Sequence, residues 1–359
     1  MKTDRQEMPP APDVRIAGRT IGRGHPPFII AEMSGNHNHD IDRAIAIIEA
    51  AADAGADAVK LQTYTADTIT IDHDGPQFRI EGGLWAGRSL YELYEEAHTP
   101  WDWHPTLFAK ARERGIAIFS APFDPTAVDF LAALDVPAFK IASFEAVDLA
   151  LIQKAAAVGK PLIISTGMAS LEEIDEAVAT ARGAGSGEIV LLHCVSGYPT
   201  PPGDSNLLTI PDLAARFGIQ VGLSDHTLGT AVANAAIALG ATVIEKHVTL
   251  ARSDGGPDAA FSLEPDELAT LVQQCRTAWE ALGTANYSLK GSEAGNIVFR
   301  RSLYATENIA AGERLTEHNV RSIRPGYGLA PKHFHDVLGR TAIRDIARGT
   351  PLDWSLIGD

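Results

Sequence analysis

The sequence predicts an α/β protein in which a (β/α)8 barrel is followed by a small β-rich domain. Two observations carry this prediction. Eight short apolar runs recur between residues 28 and 246, and helix-length amphipathic segments separate them. Such alternation is typical of a parallel sheet, and eight units over about 250 residues is the usual size of a barrel. Beyond residue 283 the pattern changes to turns and short β-like pieces.

The eight predicted strands are bounded by turn residues. They cover residues 28–32, 58–62, 116–119, 138–142, 161–165, 189–193, 220–223 and 242–246. Asp40 is a plausible N-cap for the first helix, which we expect to end at Ala54 and Gly55. An insertion at residues 63–89 follows the second strand. A doubly wound open sheet is the alternative fold, but no G-x-G-x-x-G motif follows the first strand.

The chain divides into four predicted parts. They are an N-terminal extension (1–25), the barrel (26–283), a linker (284–301) and the β-rich domain (302–359). A domain of about 60 residues buries too little surface to be robust alone. We therefore expect it to dock on a barrel or on a partner chain.

Composition excludes several classes of protein. The 359 residues are 45% hydrophobic and carry a formal net charge of −16, which argues against a nucleic-acid binder but not against an anionic substrate. The two cysteines, Cys194 and Cys275, form no CxxC motif. The polar N-terminus lacks the apolar stretch of a signal peptide, and no apolar run is long enough to span a bilayer. These features predict a cytoplasmic protein.

Polar side chains cluster where the predicted strands end, which is where barrels form their active sites. A few of them could satisfy one another in the interior, but burying the whole set is costly without a ligand. The set comprises Glu32, Lys60, Gln62, Lys140, Ser143, Glu145, Ser165, Thr166, His193, Ser224, Asp225, His226, Glu245, Lys246 and His247.

Two histidines in this set point to a metal. His226 follows the seventh strand and His247 follows the eighth, so two imidazoles lie within reach of one divalent ion. Water or substrate would complete the coordination shell and leave the ion free for Lewis-acid chemistry. The alternative is a hydrogen-bonded pair of buried histidines.

Two lysines point to an anion. Lys60 and Lys140 lie on inward-facing positions, and Ser165-Thr-Gly167 offers hydroxyl and backbone donors at a helix start. We expect a phosphate or carboxylate to bind there. Ion pairing with Glu32 or Glu145 is the alternative, and a Schiff-base lysine is also open in principle.

Loop residues and one cysteine complete the candidates. The loop at residues 34–40 either contacts substrate or caps the first helix, and the turn at residues 255–258 presents Asp258. Cys194 is predicted to be a small core residue, because nothing in the sequence around it indicates a lowered thiol pKa.

Seven segments form a recognisable series of motifs: 28–38 (FIIAEMSGNHN), 59–63 (VKLQT), 139–143 (FKIAS), 165–168 (STGM), 222–227 (GLSDHT), 256–258 (GPD) and 323–326 (IRPG). In their sequence and in their order, over nearly the whole chain, these motifs resemble the sialic acid synthase family. The last of them resembles that family's C-terminal antifreeze-like (SAF) domain. The resemblance implies a TIM barrel with a SAF domain.

The resemblance also implies a reaction: phosphoenolpyruvate condenses with an amino-sugar aldehyde, water adds and phosphate leaves. Mn²⁺ is the metal expected on His226 and His247, with Mg²⁺ or Co²⁺ possible. Glu32 and Glu145 would act near the reacting centre. The implied phosphoenolpyruvate-binding residues are Lys60, Gln62, Lys140, Ser143, Ser165 and Ser224, and the implied sugar-binding residues are Tyr198, Asp258 and Arg324.

The family resemblance further implies a domain-swapped homodimer in which Arg324 reaches the other subunit's site. Segments 83–87 (GLWAG) and 90–94 (LYELY), with Tyr304, are most similar to members that use 2,4-diacetamido-2,4,6-trideoxy-L-altrose. The chain has Ala121 and Ser196 where members tend to have Thr and Asn. Alternatives are synthases of legionaminic or N-acetylneuraminic acid, a pyruvate-dependent aldolase and, remotely, a non-catalytic carbohydrate-binding barrel.

Overall fold

A computed structural model describes residues 11–359, so the first ten residues of the predicted N-terminal extension lie outside the described residues. The chain divides after Gly283 into two compact units. The predicted fold is confirmed: eight parallel strands close into a barrel, and a small unit with an antiparallel sheet follows.

The barrel strands match the eight predicted runs. They are β3 (Phe28–Glu32), β4 (Ala58–Thr63), β5 (Ala117–Pro122), β6 (Phe139–Ile141), β7 (Leu162–Ser165), β8 (Ile189–Cys194), β9 (Gln220–Asp225) and β10 (Val243–His247). Their order around the barrel is β10-β3-β4-β5-β6-β7-β8-β9, and β10 closes the ring by pairing with β3.

Helices surround the barrel and pack through their apolar faces against the outward-facing strand residues. The Asp40 carboxylate accepts from the backbone N–H groups of Asp42 and Arg43, so the predicted N-cap is confirmed. The helices of this unit are α1 (Ile41–Asp53), α2 (Ala66–Ile69), α3 (Leu90–Ala97), α4 (His104–Arg114), α5 (Pro125–Ala133), α6 (Leu149–Ala157), α7 (Leu171–Gly183), α8 (Thr209–Phe217), α9 (Ala231–Ala238) and α10 (Pro265–Leu282).

An N-terminal hairpin that the sequence analysis missed closes the amino end of the barrel. Its strands are β1 (Val14–Ile16) and β2 (Arg19–Ile21), which pair antiparallel. Its apolar side chains pack with inward-facing residues such as Phe28 and Ile163. Because one end of the barrel is filled by apolar side chains, the polar residues inside it are confined to the other end.

The C-terminal unit has a core of its own. Strands β11 (Ser302–Ala305) and β12 (Val320–Ile323) pair antiparallel, and the short helix α11 is Phe334–Val337. Leu303, Leu315 and Leu352 are among the residues of its buried core. Among residues 11–359, no helix has both the length and the apolar composition that crossing a membrane requires.

Candidate active site

The polar end of the barrel is organised around a buried charge network. Lys60 Nζ lies 3.1 Å from both Glu32 Oε2 and Glu245 Oε1. Lys140 Nζ lies 3.5 Å from the same Glu245 oxygen. Gln62 donates to Glu32 Oε1 at 2.9 Å. Strand alternation explains the cluster, because every second residue of a barrel strand faces inward.

Ser224 joins the network by donating its hydroxyl to Glu245 Oε1 at 2.9 Å. Ion pairing between Lys60 and Glu32, which the sequence analysis held as an alternative to anion binding, is present. Glu145 forms no such pair, and its Oε2 is buried without a hydrogen-bond partner among the described residues. A fixed carboxylate next to two lysines can also position them for an incoming anion.

The network separates the protonation states of its members. Burial acts to raise the pKa of Glu245, but Lys140 and Lys60 hold it well below the ordinary value. Burial raises the pKa of Glu32 to about 7, despite the opposing effect of Lys60. Burial likewise lowers the pKa of Lys140 to about 8. Of the two carboxyls, Glu245 therefore remains ionised, and Glu32 can hold a proton near neutral pH.

Glu145 is a second carboxyl that can hold a proton. Burial raises its pKa to about 7. It ends the short turn that follows β6, so its side chain belongs to the same end of the barrel as Lys140. Two carboxyls that can each bind and release a proton near neutral pH are suited to general acid–base catalysis.

Free hydroxyl groups lie next to the charge network. Ser143 Oγ accepts from the Gly167 backbone N–H at 3.2 Å. A Cβ on Gly167 would clash with Ser196 Oγ and lie 2.7 Å from Ser143 Oγ, so a larger residue there would displace both hydroxyls. The Oγ atoms of Ser165 and Ser196 are buried and have no hydrogen-bond partner among the described residues. These unused donors, with two lysines, suit a phosphate or carboxylate.

The two predicted metal ligands lie together. The ring centroids of His226 and His247 are 5.3 Å apart. His226 Nδ1 lies 3.0 Å from the Val195 carbonyl oxygen, which can only accept, so Nδ1 carries a proton. In the neutral form of this ring, Nε2 is the nitrogen with a free lone pair. His247 Nδ1 is buried and has no hydrogen-bond partner within the described chain.

The histidine pair fits a metal ion that takes further ligands from water or substrate. Burial lowers the pKa of His247 well below its ordinary value, and a neutral imidazole is the form that binds a metal. Across residues 11–359 no group of three or more His, Cys, Asp or Glu side chains is arranged as a metal site. Metal binding by His226 and His247 stays a prediction.

The implied sugar residues of the barrel border the histidines. The Tyr198 ring centroid is 4.4 Å from that of His226. Asp258 Oδ2 accepts a hydrogen bond from the Ser34 hydroxyl and lies 3.7 Å from His247 Nδ1. The loop at residues 34–40 thus both reaches the site, through Ser34, and caps α1, through Asp40.

Arg324 is exposed and lies in the C-terminal unit, just after β12. Lys246 and Asp225 belong to the polar set at the strand ends, but they face away from the barrel interior and pair with each other. His193 also faces outward, and its Nε2 lies 2.6 Å from the Ser205 carbonyl oxygen.

The sequence analysis did not anticipate two features of the site. Glu245 was noted only as one polar residue among many, although it connects both lysines; its position two residues before His247, on the inward face, was the available signal. Cys194 is buried, as predicted. Burial raises the pKa of its thiol, but His226, whose Nδ1 lies 3.9 Å from Sγ, lowers it below the ordinary value together with Ser143 and Lys140, contacts that the sequence around Cys194 does not show.

The chain is similar to known proteins over most of its length. The chain matches the NeuB family over residues 47–287 and the SAF domain over residues 300–357. It is 45% identical over 325 residues to the pseudaminic acid synthase of Campylobacter jejuni, covering 90% of this chain and 95% of that protein. It is 39% identical over 322 residues to the N,N'-diacetyllegionaminic acid synthase of the same species, covering 89% and 96%.

The chain is similar to solved structures as well. The N-acetylneuraminic acid synthetase of Leptospira borgpetersenii superposes with a TM-score of 0.72 at 32% identity, covering 80% of this chain and 95% of that one. The fold and the site define a (β/α)8-barrel protein that has buried lysines and two neighbouring histidines at the carboxyl end of its strands. The chain belongs to the NeuB family and carries a C-terminal SAF domain.

Proposed function

We propose that this enzyme is a pseudaminic acid synthase. It condenses phosphoenolpyruvate with 2,4-diacetamido-2,4,6-trideoxy-L-altrose and releases phosphate. The observation that carries the reaction type is the pair of buried lysines that share Glu245, next to unused hydroxyls and the histidine pair. The sugar is supported by the higher identity to the pseudaminic acid synthase of C. jejuni than to its legionaminic acid counterpart.

The lysines and hydroxyls bind phosphoenolpyruvate. Its phosphate and carboxylate are anions, so they stabilise the protonated form of Lys140, whose pKa is lowered to about 8 without substrate. Lys60, Ser143, Ser165, Ser224 and Gln62 supply further donors. Glu245 keeps the two lysines in place before substrate arrives, which reduces the reorganisation that binding requires.

The carbon–carbon bond forms between C3 of phosphoenolpyruvate and the aldehyde carbon, and the aldehyde oxygen takes up a proton. Glu32 or Glu145 can donate that proton, because each has a pKa of about 7. Water then adds to C2, and the same carboxyls can accept one of its protons. The bond between C2 and the phosphate oxygen breaks while the new C2 hydroxyl passes its proton to the leaving phosphate, which gives the C2 ketone and inorganic phosphate.

A divalent ion on His226 and His247 is part of the proposal, with Mn²⁺ preferred and Mg²⁺ or Co²⁺ also suitable. When bound, it would supply Lewis-acid polarisation of the sugar aldehyde. Tyr198 and Asp258 border the histidines and would orient the sugar.

We also propose a homodimer in which the C-terminal unit of one subunit brings Arg324 to the other subunit's barrel. Four consecutive loops at the carboxyl end of the barrel each expose a large apolar side chain, which a partner subunit would cover. They are Phe144, Met168, Leu208 and Leu228, each 60–74% exposed. The two free, buried cysteines suit the cytoplasm, where we place the enzyme.

Isotope labelling tests the reaction. Purified protein is incubated with Mn²⁺, phosphoenolpyruvate and the diacetamido trideoxy sugar in H₂¹⁸O, and mass spectrometry follows both products. We expect pseudaminic acid together with unlabelled phosphate, because water attacks carbon and the C–O bond breaks. Labelled phosphate, or pyruvate released without a sugar adduct, would contradict the proposal.

A further inference from the structure

A hairpin-like loop in the insertion after β4 brings an aromatic residue to the active site. The Ile80 N–H donates to the Arg88 carbonyl at 2.9 Å, and the Gly87 N–H donates to the Ile80 carbonyl at 2.8 Å. These two bonds hold the sides of the loop together. Trp85 lies near its tip, between two glycines.

The glycines are required by the backbone. Gly83 has a φ of +81° and Gly87 a φ of +88°, conformations that side-chain-bearing residues rarely adopt. A Cβ at either position would meet no neighbouring atom within 4 Å. Glycine is therefore favoured by the positive φ and not by a lack of space. In the sequence Gly-Leu-Trp-Ala-Gly, the two glycines therefore allow two turns of the chain, and these turns fix the position of Trp85.

Trp85 contacts the site from outside the barrel strands. Its indole Nε1 donates to the Pro257 carbonyl at 2.9 Å, in the turn that presents Asp258. Its ring centroid is 5.7 Å from that of Tyr198, whose ring in turn lies 4.4 Å from that of His226. Trp85 and Tyr198 thus form a continuous aromatic surface that begins at the histidine pair.

We infer that Trp85 is a specificity-determining residue that packs against the methyl groups of the acceptor sugar. This inference rests on the proposed function. With the aldehyde near His226, the rest of the sugar extends along the aromatic surface. The diacetamido trideoxy sugar carries methyl groups on both acetamido substituents and at C6, whereas N-acetylmannosamine carries one acetamido methyl and a polar hydroxymethyl group. An indole face favours the first sugar.

Three variants test the inference. Trp85→Ala removes the ring and its N–H, whereas Trp85→Phe removes the N–H and keeps an aromatic face. Trp279→Ala is the matched control: its indole also donates to a backbone carbonyl, that of Arg23 at 3.1 Å, and it lies on α10, outside the barrel. Phosphate release gives kcat/KM for the trideoxy sugar and for N-acetylmannosamine, and KM for phosphoenolpyruvate.

Losing one apolar contact in a substrate pocket changes discrimination by roughly tenfold or more. We expect Trp85→Ala to lower kcat/KM for the trideoxy sugar by about tenfold, to reduce selectivity over N-acetylmannosamine by a similar factor, and to leave KM for phosphoenolpyruvate unchanged. Trp85→Phe and Trp279→Ala should keep the selectivity.

Each other outcome overturns the inference. Equal losses in Trp85→Ala and Trp85→Phe would assign the effect to the hydrogen bond to Pro257, and an unchanged Trp85→Ala would show that the ring contacts no sugar. Either result leaves the proposed function standing, because the wild-type protein is active. A wild-type protein that is inactive with every sugar would overturn both.

Discussion

At the scale of single residues, two carboxyls close to one lysine differ in their pKa. Glu245 lies between Lys60 and Lys140 and remains ionised, whereas Glu32 contacts only one of them and is protonated more easily. The spacing to His247 places Glu245 on the inward face of its strand, but it does not show which carboxylate lies between the lysines. That also depends on the register of β4, β6 and β10 around the barrel, which the local pattern does not encode.

The buried carboxyl of Glu145 makes stability depend on pH. Its pKa is raised from 4.5 to about 7, so between these values the folded protein holds a proton that the unfolded chain has lost. Stability therefore falls as pH rises through this window, by up to about 3 kcal/mol at roughly 1.4 kcal/mol per unit of pKa. Below the window both states are protonated and the contribution vanishes.

Glu145→Gln removes this ionisation. We expect the variant to exceed the wild type in free energy of unfolding by up to ~3 kcal/mol at about pH 8, and to differ little near pH 4.5. Urea unfolding at both pH values measures this. Glu176→Gln, at an exposed position of α7, is the control and should show no such pH dependence. A Glu145→Gln effect that is equal at both pH values would refute the account.

At the scale of elements, strands β9 and β10 are joined behind the histidine pair. Lys246 Nζ lies 2.7 Å from Asp225 Oδ2 and 2.5 Å from the Thr227 carbonyl oxygen. Asp225 Oδ1 also accepts the Thr227 N–H at 2.9 Å. Both charged side chains are almost fully buried. Because these residues flank His226 and precede His247, the pair fixes the ends of both histidine-bearing strands.

Breaking this pair leaves a buried charge without a partner. We expect Lys246→Met to lower the free energy of unfolding by about 3–5 kcal/mol. The double variant Asp225→Asn/Lys246→Met buries no charge and retains the acceptor for the Thr227 N–H, so it should recover most of that loss. Urea unfolding measures the free energy of unfolding of both variants and so tests this prediction. A double variant as unstable as the single one would show that the interaction is not the ion pair described here.

The hydrophobic pattern of the sequence predicted where the barrel strands lie, but it predicted their first and last residues less accurately. The apolar run at residues 220–223 found β9, but the strand continues to Asp225, because two polar residues complete it at the active site. The hairpin β1–β2 was missed because each strand has only three residues and includes an arginine. Such short strands are stable only because the barrel end covers them, which is information that lies elsewhere in the chain.

At the scale of the whole molecule, the proposed dimer predicts complementation between two defective chains. Arg324→Ala removes the residue proposed to act on the other subunit, and His226→Ala removes a metal ligand of the subunit's own barrel. Co-refolding equal amounts gives about half heterodimers. Each heterodimer has one intact site, so we expect roughly a quarter of wild-type activity from two inactive parents. Formation of heterodimers with no recovered activity would contradict the shared site.

The most direct test of the central claim is phosphate release from phosphoenolpyruvate with Mn²⁺ and three sugars. They are 2,4-diacetamido-2,4,6-trideoxy-L-altrose, the legionaminic acid precursor and N-acetylmannosamine. The account predicts strong release with the first alone, and loss of that release when the metal is removed with a chelator. Release with another sugar in its place would contradict the assignment to pseudaminic acid, and no release from folded protein with any sugar would contradict the reaction itself.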